Sequence, residues 1–278
     1  MKNSTNRERL KWAFLGMCFG GIVVICVVCL FWQYVDKKEA ENVYQELQVV
    51  VNVVEADETQ TNVTADRGEE NDNEIISVKK SIKYPQKNIK WDELYSQNPD
   101  IYAWISVSDT TIDYPIVQHP QDNTYYLEHN LDGSKGYPGC IYTENYNLKD
   151  FSDKHTVIYG HNLKNGTMFA PLHEFENENE IEEDRYIYIY TEEQVYVYQI
   201  FAAYEFNNIH LFANYDMTNE YVYEQYIKDI FKLKEESVNL VNVREDILVT
   251  KEDKIITLST CTNNSDTRFL VVGVLLNP

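Results

Sequence analysis

Residues Thr257–Leu276 read TLSTCTNNSDTRFLVVGVLL. Two apolar runs flank the polar stretch TNNSDT, residues 262–267, and that composition predicts an antiparallel hairpin. Cys261 ends the first run and Arg268 opens the second, so the pairing would set both at one end of a sheet. A thiol attacks only as the thiolate, a form that a neighbouring cation favours. A guanidinium can also hold a carbonyl oxygen or a developing oxyanion. A buried structural cysteine next to a surface arginine would show the same letters.

Working outward, short runs rich in Val, Ile, Tyr and Phe recur upstream: TIDYPIVQ, GCIYT, HTVIYG, YIYIY, VYVYQIFAA, DILVT and KIITLST. About eight such strands between polar turns predict a β-sandwich or closed barrel. Trp91, Leu94 and Tyr95 mark a helix ahead of the turn at Asn98-Pro99. Residues 218–236 repeat apolar positions at Val222, Tyr226, Ile230 and Leu233, which predicts a helix between late strands. No solenoid repeat and no glycine-rich phosphate loop is present.

A thiolate nucleophile needs a proton carrier, and the chain offers six histidines. His161 is the best placed, because it follows the strand-like TVIY through Gly160 and would project from a strand end. His119 precedes a proline in a turn, His129 lies in polar LEHN, His155 opens a strand, and His173 and His210 fall in loops. No cluster has metal-ligand spacing.

Trp12–Trp32 contains no charged residue over 21 positions, enough helix to cover roughly 30 Å of bilayer core. Lys2, Arg7, Arg9 and Lys11 precede it against Glu8 alone, and aromatics rather than a small-residue cleavage site follow. The expectation is an uncleaved signal anchor with the N-terminus cytoplasmic and the remainder extracellular. Residues 1–11 would be the tail, 12–34 the span, 35–85 a juxtamembrane helix and acidic linker, and 86–278 the folded domain. Val43, Leu47, Val50, Val51 and Val54 form the stripe of that helix. Eight acidic residues against one basic in 55–74 predict a disordered spacer.

The chain carries −21 overall, and −24 beyond residue 35, which excludes a nucleic-acid partner. Cys18, Cys26 and Cys29 lie in the span, leaving Cys140 and Cys261 outside it, too few for a disulfide-stapled domain.

TLSTC (257–261) and DTRFLVVG (266–273), with HTVIYGHNLKNGTMFAPL (155–172) upstream, resemble the sortases, membrane-anchored cysteine transpeptidases of Gram-positive bacteria. NPDIYAWISVSDTTIDYPIVQHPQDNTYYLEHNLDG (98–133) and the helix at 218–236 resemble class B. The resemblance covers residues 86–278 and implies an eight-stranded β-barrel with an N-terminal helix and a helix inserted between late strands. It sets His161, Cys261 and Arg268 at the family's catalytic positions. It implies cleavage of a sorting signal at a Thr bond, a thioacyl intermediate and transfer to a peptidoglycan amine, with no metal or organic cofactor. The connection from Cys261 to Arg268 is short, and Cys140 stands where the resemblance calls for a small residue.

Two other readings use the same letters. A secreted papain-type protease would place its cysteine ahead of the histidine at a helix opening, the reverse of the order here. A non-enzymatic β-barrel module on a membrane stalk would be indifferent to Cys261→Ala.

Overall fold

In the computed structural model, which describes residues 2–53, 62–71, 74–182, 184–236, 240–262, 264 and 266–277, the chain divides into Met1–Val43 and Tyr44–Pro278. The first unit is the greater part of one uninterrupted helix, α1 (Lys2–Val50). A window within Lys11–Val50 reaches a mean hydropathy of 2.8, so the helix is long and apolar enough to cross a membrane. The expected juxtamembrane helix is a continuation of this one, as far as Val50. Residues 33–50 contain neither Gly nor Pro, so nothing local interrupts the helical hydrogen bonds.

The last turns of α1 belong to the second unit. Tyr44 and Leu47 are buried, Tyr44 meets Tyr114 edge-on at 5.7 Å between centroids, and Gln48 donates to the Asp113 carbonyl at 3.0 Å. The chain then continues as β1 (Val51–Val53), which pairs antiparallel with β4 (Lys87–Ile89). The compact unit therefore takes in chain ahead of residue 86. Between those strands, β2 (Asn62–Asn71) pairs with β3 (Glu74–Lys83), where the acidic composition predicts a disordered spacer. The β-branched Ile75, Ile76, Val78 and Ile82 favour extended backbone, and a ladder satisfies backbone groups whatever the charge on the paired strand. Val54, residues 55–61 and residues 72–73 of that stretch lie outside the described residues.

After the short helix α2 (Trp91–Gln97), the sheet builds from β5 (Ile101–Val107), β6 (Asp113–Val117), β7 (Ile141–Thr143), β8 (His155–Tyr159), β9 (Tyr186–Tyr190) and β10 (Val195–Asn207). Helix α3 (Glu220–Glu236) and β11 (Val241–Val243) lead to β12 (Ile255–Cys261) and β13 (Thr267–Leu275). The order β10-β13-β12-β8-β7-β6-β5-β9 closes through the β9–β10 pairing, giving the expected eight-stranded barrel. β11 adds to β10 at Ala202–Tyr204, beyond the stretch that pairs with β9.

DILVT, expected as a strand, is irregular, and Val241–Val243 takes its place. Ile247 and Val249 are buried all the same, so their apolar character serves packing rather than a ladder. They join Tyr223, Tyr226, Ile227 and Ile230 of α3 against Phe201, Tyr204, Leu270 and Val272. Each such side chain contributes about 1.5–3 kcal/mol on burial, which holds α3 on the barrel wall. β13 is covered on both faces from Phe269 to Leu275, the reason FLVVGVL reads as a continuous apolar run instead of an alternating one.

Candidate active site

Cys261 is the last residue of β12 and stands opposite Arg268, the second residue of β13, in antiparallel register. β8 lies on the other side of β12 and runs parallel to it, with Tyr159 opposite Ser259. The Gly160 amide extends that ladder to the Ser259 carbonyl at 3.1 Å, and Thr260 Oγ1 donates to the Gly160 carbonyl at 2.8 Å. Two parallel strands ending at one level deliver His161 and Cys261 to the same rim. A Cβ on Gly160 would lie 2.5 Å from Ile141 Cδ1 and 2.6 Å from Phe169, so only glycine fits that exit.

His161 donates from Nε2 to the Leu127 carbonyl at 2.8 Å, and its ring stacks on Tyr137 at 5.6 Å. Gly139 lies directly beneath. Its φ is +68°, and a Cβ there would come 2.9 Å from His161 Cδ2 and 3.3 Å from the Leu127 carbonyl. The turn is fixed by Asn130 Oδ1, which accepts from the Gly139 amide at 2.9 Å, and by Tyr44, whose hydroxyl donates to the Gly139 carbonyl at 2.6 Å. The sequence reading does not pick out Gly139, although the glycine-proline-glycine content of GYPGC signals a tight turn.

His161, Cys261 and Arg268 line one cavity of about 200 Å³, together with Tyr142, Glu144 and His210. Arg268 Nη1 donates to the carbonyl of Thr267 at 3.0 Å. Glu144 and His210 form a 2.5 Å pair in the wall, with the Tyr159 hydroxyl 3.5 Å from His210 Nε2. Burial raises the Glu144 carboxyl above the ordinary range, against the opposing pull of His210. Burial likewise keeps Tyr142 and Tyr159 as neutral phenols. His210, read from sequence as a loop histidine, is thus a wall residue, and Glu144 carried no signal of its own because its partner lies 66 residues away.

The remaining histidines divide cleanly. His119 and His129 each stack on Tyr125, at 4.4 and 4.0 Å. His155 is fully buried, its Nε2 is 2.8 Å from Thr257 Oγ1, and burial pushes it down to about 3, so it is neutral. His173 reaches the carbonyl of Cys261 at 3.0 Å. Cys140 and Cys261 are both free thiols. Cys140 is buried, and burial pushes its thiol up to about 12. Among the described residues no group of three or more His, Cys, Asp or Glu is arranged to hold a metal ion.

The family model described as the sortase domain matches residues 105–276. Sortase B of Listeria monocytogenes is 36% identical over 63% of this chain and 68% of its own length. The X-ray structure of Clostridium perfringens sortase B superposes with a TM-score of 0.59 at 34% identity, over 68% of this chain and all of that one. A Staphylococcus aureus sortase B–substrate complex gives 0.57 at 26% identity, over 67% of this chain and 84% of that one.

Proposed function

Because the chain belongs to the sortase family, as a class B cysteine transpeptidase, we propose that Cys261 is its nucleophile, Arg268 its oxyanion ligand and His161 its proton carrier. The observation that carries this reading is the cross-strand pairing of Cys261 with Arg268 on the wall of a cavity that His161 also lines.

The Cys261 thiolate attacks the carbonyl carbon of a Thr in the sorting signal, and the carbonyl π electrons move to oxygen. Arg268 stabilises that oxyanion. The intermediate collapses, the C–N bond breaks, and the leaving amine takes a proton from His161, which leaves a thioacyl enzyme. A peptidoglycan amine, either a diaminopimelate side chain or a cross-bridge glycine, then attacks the thioester. His161 accepts its proton, and the C–S bond breaks to restore the thiolate. Nε2 of His161 faces the Leu127 carbonyl, so Nδ1 is the nitrogen assigned to this exchange. No step requires a metal or an organic cofactor.

Helix α1 supplies the membrane anchor in this reading. Its basic N-terminal flank keeps residues 1–11 cytoplasmic and puts the catalytic domain, taken from residue 86, outside. The acidic exterior argues against a nucleic-acid partner.

The test uses the full chain in detergent micelles with fluorogenic peptides of the NPQTN, LPxTG and SPxTG types. Intact-protein mass spectrometry should find a peptide adduct on Cys261 and none on Cys261→Ala. Cleavage persisting in Cys261→Ala would end this assignment.

A further inference from the structure

Cys261 sits where β12 stops, and its carbonyl points out of the ladder into side chains of the loop that begins at His161. Asn162 Nδ2 donates to the Cys261 carbonyl at 3.0 Å, and His173 Nε2 lies 3.0 Å from the same oxygen. Asn162 Nδ2 and His173 Nε2 are themselves 2.9 Å apart, so the three atoms close a triangle on the nucleophile's own peptide group. On the far side of the ring, His173 Nδ1 is 2.5 Å from Glu176 Oε1. A carboxylate only accepts, so the Nδ1 proton is fixed there. Asn162 donates to Cys261 in either protonation state of the ring. Nε2 accepts from Asn162 when the ring is neutral and donates to the Cys261 carbonyl when it is protonated.

The ring is also clamped from the side, stacked at 5.0 Å and 22° on Phe269, the fully buried neighbour of Arg268. Asn162 follows His161 directly in the chain, and the His161 carbonyl accepts from the Phe169 amide at 2.9 Å. His161, Cys261 and Arg268 thus each have a direct neighbour, or their own backbone, in contact with His173 or Asn162.

From this geometry we infer that His173, held by Glu176, is a positioning residue for the transfer reaction: it fixes the Cys261 peptide group relative to the loop that carries His161. The inference rests on Cys261 being the nucleophile. It gives the chain a second functional histidine that never meets the substrate. The chemical requirement behind it is tight, since an error of about 1 Å in the placement of reacting groups costs on the order of a hundredfold in rate.

The experiment compares wild type, His173→Ala, His173→Gln, Glu176→Gln and Cys261→Ala as full chains, on the peptide that the wild type cleaves. His173→Ala should lower kcat by about 10–100-fold with KM within about twofold of wild type. His173→Gln puts an amide near the position of Nε2 and should recover most of that loss. Glu176→Gln, at a half-exposed site that tolerates change, should lower kcat by roughly 2–5-fold. A wild-type kcat in His173→Ala, a loss confined to KM, or a Gln variant no better than Ala would each overturn the inference. A dead Cys261→Ala beside an unaffected His173→Ala would remove this inference alone, whereas an active Cys261→Ala would remove the reading beneath it.

Discussion

Cys140 sits one residue before β7 and is 1% exposed, whereas Cys261 ends β12 half-buried on a cavity wall. The Cys140 thiol donates to the His129 carbonyl at 3.4 Å, its sulfur lies 3.4 Å from the Tyr44 hydroxyl oxygen, and burial drives it up to about 12. It is a small apolar filler under the turn that carries Gly139. Cys261 has Arg268 opposite it and a fixed backbone behind it. The same side chain is walled off in one place and lines a cavity opposite an arginine in the other, and a thiolate nucleophile needs a neighbouring cation and access to solvent more than it needs any particular strand.

The largest effect expected from breaking this contrast is at Cys261, the proposed nucleophile. Cys261→Ala should lower peptide cleavage by about four orders of magnitude, while Cys140→Ala stays within about twofold of wild type. Iodoacetamide followed by peptide mapping should label Cys261 and leave Cys140 untouched. Labelling of Cys140 in the native protein would refute its burial.

Arg268 comes next. Its replacement by Ala should reduce kcat by about 10²–10³-fold, as for the loss of one oxyanion donor. Arg268→Lys should recover only part, because an ammonium cannot reproduce the planar guanidinium fork. Full activity of the Lys variant would show that charge alone suffices.

Gly139→Ala tests the Cys140 side of the comparison at the point where it reaches the active site. The added Cβ must displace the His161 ring, and the positive φ adds roughly 1 kcal/mol of backbone strain. The expected result is a 10–100-fold lower kcat, with an unfolding midpoint only a few degrees down. A normal kcat would mean that the His161 position seen here is not the one used in turnover.

The smallest effect concerns pH. The folded value of His155 is depressed from 6.5 to about 3 by burial, so its full contribution to stability is present above 6.5 and is lost as the pH falls below it. Each unit down from about 6.5 towards 3 should multiply the unfolding constant about tenfold. His155→Phe retains a ring without the titrating nitrogen and should flatten the dependence measured by urea unfolding between about pH 7 and 5. An unchanged slope would assign the acid sensitivity to other groups.

Much of the barrel is legible residue by residue. The hairpin at Thr257–Leu276 follows from two apolar runs and a short polar turn, and the observed Cys261–Arg268 register is the one that turn implies. His161 stands out because a strand-like run ends just before it. Within the stretch 55–74, residues 62–71 pair with 74–83, since acidic composition argues against a core but not against a ladder. DILVT misled in the opposite sense, its apolar residues being buried without pairing. Gly139, Glu144, His173 and His210 were out of reach, for each acts on a partner 22 or more residues away in sequence: His161 for Gly139, Cys261 for His173, and one another for Glu144 and His210.

By itself the sequence determined the apolar N-terminal helix, the mostly-β class, the closing hairpin and the thiol–guanidinium pair across it. These depend on neighbours in the chain, where composition and turn length act directly. Only the tertiary structure decided that β8 lies parallel against β12, that Gly139 makes room beneath His161, and that Glu176, His173 and Asn162 converge on the Cys261 carbonyl. A parallel pairing has no connecting turn to announce it, and a contact across 88 residues leaves no periodicity in either partner.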